Sequence, residues 1–354
     1  MRLITEYVDD KTVAGLIASL YQVAPRFESG SKSIHSGAEP MRESTLITDA
    51  IHDRAVGALL GLATGDAVGT TLEYKSRDSY EHLTGMVGGG PFSLPAGMWT
   101  DDTSMALALG ESLEGRIDLD PEDLMSRFVR WWRSGEYSPT GECFGIGLTT
   151  RAALAHFETT GEPIAGSRDE MTAGNGSLMR VAPIAIWGVQ AGADAMRDVA
   201  RTQSATTHAA RACLDACEAY SVMMRSAILG ADFSECLARA QEMSFIEPIA
   251  GIIAGGWRSK TRAQIATSGY VAHSLEAALW CNDPQAGGGG TYRDIVLRAA
   301  NLGDDANTTA AIAGQLAGAL HGKSGIPPEW LEKLVWADRI SALAGRLLSE
   351  PARP

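Results

Sequence analysis

Two stretches of this 354-residue chain gather oxygen ligands where a loop runs into a helix. In GMWTDDTSMALALGESL, residues 97–113, Thr100, Asp101 and Asp102 are consecutive. Adjacent carboxylates repel each other, and one acid or threonine would suffice to cap a helix start by satisfying free amides and the dipole. Three in a row are the hard donors that Mg²⁺ or a similar cation takes. The second stretch, NLGDDANTTAAIAGQLAGALHG at 301–322, again places Gly and acids before an Ala-rich helix, with Asp305 and Thr308 at i, i+3 on one face. The two junctions lie about 200 residues apart. If both helix starts meet in a bundle, they form one metal centre supplied from the two halves of the chain.

Two further stretches carry less decisive chemistry. In GLATGDAVGTTLEY, 61–74, Gly61, Gly65 and Gly69 recur every fourth residue and leave one helix face bare for close packing, with Asp66 and Glu73 as its polar exceptions. In EMTAGNGSLMRVAPIAIW, 170–187, Gly174, Asn175 and Gly176 form a turn-prone loop before a helix. Such a loop can offer amide hydrogens to a phosphate or be an ordinary turn, and the GxxxxGK[ST] pattern is absent. Cys213 and Cys217, four apart near His208, read as buried small residues rather than a zinc site. The five cysteines are odd in number and contain no CxxC pair, which argues against a disulfide framework and for a reducing, cytoplasmic home.

The elements that must hold these groups are helical. MALALGESL, SRFVRWWR, TRAALAHF, ARACLDACEAYSVMMRSAIL and ECLARAQEM carry apolar residues at three and four spacing. Alternating strand patterns are almost absent, and no GxGxxG follows a strand, so a Rossmann fold fails at its first requirement. The expected fold class is all-α, with long functional loops. An apolar fraction of 45% and a charged fraction of 21% exclude a disordered or fibrous chain. A net charge of -13 disfavours nucleic acid as the main partner. No run of 18 uninterrupted apolar residues points to a membrane span, and the start MRLITEYVDDKT does not read as a signal peptide. Residues 1–49 read as an extension, with an apolar stripe at 11–21 and a Ser/Gly-rich linker at 29–38, ahead of a helical domain over 50–350.

In combination, the motifs resemble those of the ADP-ribosylglycohydrolase family. The resemblance covers roughly residues 50–323 and rests on seven segments in the family's order: GLATGDAVGTTLE, WTDDTSMAL, CFGIGLTTRAAL, GNGSLMRVAPI, TTHAARA, GYVAHSLEAALW and NLGDDANTTAAIAGQLAGA. It implies an orthogonal multi-helix bundle with a two-metal Mg²⁺ or Mn²⁺ centre, held by Thr100, Asp101 and Asp102 and by Asp305, Asn307 and Thr308. Glu73 then matches the acid that positions or activates water, and Glu73 and Asp102 are expected to govern turnover. The loop at 171–176, with Thr172, Gly174, Asn175 and Gly176, matches the diphosphate cradle. His208 and Tyr270 fall where the family lines its ligand pocket; on their own they read as a helix-start histidine and a core aromatic.

Two positions depart from the family pattern. Asn307 stands where DADT or DTDT supplies a carboxylate, and Gly145 in CFGIG stands where the arginine-specific branch has an acid. The implied activity is hydrolysis of the ADP-ribose glycosidic bond on a modified protein side chain, arginine first. The alternative is an immunity or binding protein that blocks a partner ADP-ribosyltransferase toxin or binds ADP-ribosylated protein with little catalysis, with residues 1–49 as its arm.

Overall fold

The computed structural model describes residues 45–349, so the expectations for the arm, its 11–21 helix and its linker lie outside the described residues. Among the described residues there are fourteen α-helices and no sheet, as the periodicities predict. They are α1 (Asp49–Gly69), α2 (Asp101–Leu113), α3 (Pro121–Ser134), α4 (Leu148–Thr160), α5 (Ala182–Ala191), α6 (Ala193–Thr207) and α7 (Arg211–Ile228). After these come α8 (Phe233–Gln241), α9 (Ile249–Ile253), α10 (Val271–Asn282), α11 (Tyr292–Ala300), α12 (Ala306–His321), α13 (Pro328–Leu331) and α14 (Ala337–Leu347).

Local chemistry sets the helix ends. At α3 the Asp120 carboxylate accepts from the amides of Glu122 and Asp123, Pro121 occupies the first turn, and Gly135 closes the helix at φ 69°. At α1 the Thr48 hydroxyl accepts from Ile51 N.

The centre of the bundle is the pair α1 and α12. Every residue of α1 from Ala55 to Gly69 is buried, as expected of a helix that is apolar all round. With the turn after it, α1 is long and apolar enough to cross a membrane by length and composition, but its apolar window lies wholly inside the bundle. The four-residue glycine spacing explains the packing. A methyl group at Gly57, Gly61, Gly65 or Gly69 would overlap the backbone oxygen of Gly318, Gly314, Ala310 or Ala306, respectively. Two backbones in such contact leave no space between their axes for larger side chains. The C-terminal end of α1 is thereby fixed against the N-terminal end of α12, which carries the second acidic cluster.

Candidate functional site

The first cluster is held by a residue that the sequence reading left outside the metal set. Asp66, fully buried near the end of α1, accepts hydrogen bonds from Thr100 N (3.0 Å), Thr100 Oγ1 (2.8 Å), Thr103 N (3.1 Å) and Thr103 Oγ1 (2.8 Å). The start of α2 is therefore capped from another helix, and Thr100 itself makes no side-chain cap. Asp101 and Asp102 are released from capping and are free for other work. The one acid within the buried stretch 55–69 of α1 is the signal that marks Asp66.

The second cluster is set by the backbone. Tyr74 N donates to Asp304 O and Asp304 N donates to Lys75 O, each at 2.8 Å, which clamps segment 73–75 onto the turn before α12. Asp304 takes φ 56° there, a conformation that Asp tolerates better than most residues. Asp305 begins α12, with its N–H on Thr267 O. Its carboxylate accepts from Asn175 Nδ2 at 2.7 Å. Glu73, Asp101, Asp305, Asn307 and Thr308 line one cavity of about 540 Å³, together with Gly174, Gly176 and His208. Both acidic junctions thus meet. Thr100 and Asp102 are completely buried behind that wall.

The Gly174–Gly176 loop offers fewer free amides than its composition promises. Gly174 N donates to Thr172 O and Asn175 N to Gly269 O. The Asn175 side-chain amide holds Ser274 Oγ and Asp305 Oδ2. Among the described residues, the N–H groups of Gly176 and Ser177 have no hydrogen-bond acceptor; Gly176 lines the cavity and Ser177 is wholly buried, so Gly176 N–H is the amide the loop retains for an anion there. Thr172 lies apart from the cavity wall, with its hydroxyl on Asp169 O at 2.7 Å. Tyr270 stands edge-on to His273 and lines a neighbouring cleft of about 240 Å³. Cys213 and Cys217 are free and buried, as small core residues.

The electrostatics show what the cluster lacks. Burial, with the charges of Asp305 and Asp66 adding to it, pushes the Glu73 carboxyl up from 4.5 to about 8. Asp66 rises to about 6 through burial, against its four hydrogen bonds. Burial and mutual repulsion hold Asp101 and Asp102 well above the carboxylate range, and burial raises Asp305. Three buried oxygens, Glu73 Oε2, Asp102 Oδ1 and Asn307 Oδ1, have no hydrogen-bond partner. Among the described residues, no group of three or more His, Cys, Asp or Glu forms a metal cage by itself. The donors here are carboxylate, hydroxyl and amide oxygens, the chemistry of a hard, partly hydrated divalent cation. Repelling carboxylates and orphaned oxygens fit such an ion.

Asn307 occupies the seam between the clusters. Its Nδ2 donates to Thr100 Oγ1 at 3.1 Å and to Asp102 Oδ2 at 3.2 Å. Asn307→Asp exchanges these donors for a charge facing Asp102. The variant is expected to melt lower than the parent in chelator and to bind Mn²⁺ about tenfold more tightly, read by calorimetric titration. Equal Mn²⁺ affinity would remove Asn307 from the cation's surroundings.

At Gly145, where the family's arginine-specific branch has an acid, the backbone accounts for the glycine. Gly145 has φ 76°, and a Cβ there would lie 2.5 Å from Asp101 Oδ1. In this chain the loop closes on Asp101 through bare backbone. Gly145→Asp is therefore expected to impair the site rather than repair it. Strain at positive φ costs about 1–3 kcal/mol, and the added carboxylate meets Asp101. Thermal melting together with a cation titration of Gly145→Asp and Gly145→Ala checks this: unchanged melting and affinity in both would contradict it.

Comparison with known proteins agrees with this geometry. Residues 47–354 match the family model for ADP-ribosylglycohydrolase. The chain is 47% identical over 306 residues to the ADP-ribosylarginine hydrolase Tri1 of Pseudomonas putida (strain GB-1), covering 86% of this chain and 81% of that protein. It is 32% identical to the ADP-ribosyl-[dinitrogen reductase] glycohydrolase of Rhodospirillum rubrum, covering 80% and 91%. A solved structure described as an ADP-ribosylglycohydrolase-related protein complex superposes with a TM-score of 0.75 at 36% identity, covering 86% of this chain and all of that one. The motif resemblance, the all-α fold and the two converging acidic junctions lead to the same place: the chain belongs to the ADP-ribosylglycohydrolase family.

Proposed function

We propose that the chain hydrolyses the glycosidic bond between ADP-ribose and a modified arginine side chain of a protein. The observation that carries this reading is the single cavity in which Glu73, Asp101 and Asp305 face the Gly174–Gly176 loop. Its volume of about 540 Å³ suits a ligand of this class. The choice of arginine is supported by the Tri1 proteins of Pseudomonas putida and Serratia proteamaculans (strain 568), at 47% and 43% identity, both named ADP-ribosylarginine hydrolases. A binding or immunity role without catalysis is not favoured by these relatives, and the toxin partner has no support of its own. The free cysteines are in keeping with a reducing, cytoplasmic setting.

The family is in general metal-dependent. Asp101, Asp305, Asn307, Thr308 and, from behind, Thr100 and Asp102 would hold a divalent cation, for which Mg²⁺ and Mn²⁺ are the candidates. When bound, such an ion orients ribose hydroxyls and water and offsets the negative charge of the cluster. The remaining roles belong to the protein. Glu73 accepts a proton from the attacking water as the anomeric carbon gains oxocarbenium character. The bond from C1″ to the guanidine nitrogen breaks, water oxygen takes its place, and the released guanidine takes up a proton. The amide of Gly176 binds the diphosphate, remote binding energy that orients the reacting carbon.

Mass spectrometry of an ADP-ribosyl-arginine protein, incubated with the full chain in Mg²⁺ or Mn²⁺ and in chelator, tests the reading. Loss of the ADP-ribose mass with metal, and release of free ADP-ribose, is the expected outcome. A modified arginine that survives in every condition would overturn it.

A further inference from the structure

His208 connects α6 to α7 and reaches the cavity with one edge of its ring. Its backbone is pinned on both sides: His208 N donates to Ser204 O at 2.6 Å, and Ser204 Oγ donates to His208 O at 2.9 Å. The ring is oriented by a chain of groups behind it. His208 Nδ1 lies 2.8 Å from Thr207 Oγ1, and Thr207 Oγ1 lies 2.9 Å from Arg180 Nη2. Thr207 and Arg180 are wholly buried.

Arg180 is an unusual neighbour. Among the described residues its guanidinium has no carboxylate partner. It donates to Gln203 Oε1 and Gln203 O, each at 2.9 Å, and stacks over the Phe128 ring at 4.5 Å. These contacts fix its plane, and with it the N–H that Thr207 receives.

Counting protons then determines the tautomer. A guanidinium can only donate, so Thr207 Oγ1 accepts from Arg180. The hydroxyl has one proton of its own, and His208 Nδ1 is the acceptor within reach. If Nδ1 carried the imidazole proton, Thr207 would accept twice and its buried O–H would have no acceptor, an arrangement that folded proteins avoid. The proton therefore sits on Nε2. Nε2 has no protein hydrogen-bond partner among the described residues and faces the glycine loop. A Cβ at Gly176 would stand 3.1 Å from Nε2 and 2.8 Å from Cε1, and one at Gly174 would stand 3.3 Å from Nε2. Glycine at both positions leaves the ring edge accessible.

We propose that Arg180 and Thr207 form a buried relay that fixes His208 as a neutral Nε2–H donor, aimed beside the Gly174–Gly176 loop at an acceptor oxygen of the ligand. Burial and the Arg180 charge push the imidazole pKa down to about 3, which keeps Nδ1 free to accept at neutral pH. Arg180 and Thr207 are positioning residues: they act only through the ring. The assignment of the acceptor to an anionic oxygen of ADP-ribose rests on the function proposed above; the tautomer does not.

The test uses the full chain with ¹⁵N-labelled histidine, whose long-range ¹H–¹⁵N spectra at pH 7 distinguish the two neutral tautomers. The His208 signals are assigned by their loss in His208→Asn. The parent is expected to show protonated Nε2 and bare Nδ1. Thr207→Val, which keeps the shape and loses the hydroxyl, is expected to show mixed or reversed tautomers and an ADP-ribose Kd raised about tenfold by calorimetry. Thr207→Ser is expected to restore both, and the melting temperatures of all three report whether folding is intact. Protonated Nδ1 in the parent, or Thr207→Val with the parent's tautomer and affinity, overturns the relay. Failure of the parent to bind ADP-ribose while its tautomer is as stated would overturn the substrate reading and leave the relay standing.

Discussion

Replacing Glu73 by Gln is expected to lower ADP-ribose release from modified arginine by about 10²–10⁴-fold, the usual loss when a positioned acid–base group is removed. The side chain faces the cavity, is only 5% exposed, and leaves Oε2 without a hydrogen-bond partner. An amide matches the carboxyl in shape but cannot take a proton from water. The fold should not suffer. Without a cation the carboxyl is pushed up to about 8, so at neutral pH the native protein already holds a neutral group at this position. Far-UV circular dichroism should be unchanged, and in chelator above pH 8 the variant should melt no lower than the parent, because it has no buried charge to ionise. Equal release rates in Glu73→Gln and parent would exclude Glu73 from the chemistry. A low rate accompanied by a lower melting point would reassign it to structure.

The parts of this site legible in the sequence were those carried by residue type at fixed spacing. Consecutive Thr100, Asp101 and Asp102, and the Asp305/Thr308 pair, announce acidic helix starts whatever the fold. Glycine at every fourth position of α1 announces a close helix contact, and α12 provides the matching Gly314 and Gly318. What stayed hidden depends on partners far away in the chain. Asp66 stands out as a polar exception of α1, but its capping role is hidden until Thr100 and Thr103 are seen to surround it. The amides of Gly174 and Asn175 look free until Thr172 O and Gly269 O claim them. Gly145 looks like a lost side chain until its left-handed backbone is seen against Asp101. Arg180, in GNGSLMR, is among the largest fully buried side chains. Composition carries no sign of that burial, because the compensating groups are uncharged and come from α3 and α6.

Removing divalent cations is expected to change the sign of the site's contribution to stability, and pH should reveal it. A carboxyl whose folded pKa exceeds its unfolded value binds more protons in the native state, so native stability falls as pH rises between the two values. Glu73 sets the upper end of that window at about 8 and its ordinary value of 4.5 the lower. Asp101, Asp102 and Asp305 are shifted in the same direction. In chelator, the melting temperature should therefore decline steadily from about pH 5 to pH 8. A bound divalent cation favours the ionised forms, so the decline should flatten or reverse in saturating Mg²⁺ or Mn²⁺, and the gap between the two curves should widen with pH. At a hundredfold excess over Kd the linkage is about 2.7 kcal/mol, or about 5 °C for a domain of this size. Asp66 should contribute less than Glu73, because the four hydrogen bonds it accepts favour its ionised form and oppose the effect of burial. Parallel curves with and without cation would mean that the cluster does not take the ion. Asp101→Asn should raise the melting temperature in chelator at pH 8 by removing one buried charge and, where the parent is stabilised by Mn²⁺, should abolish that stabilisation.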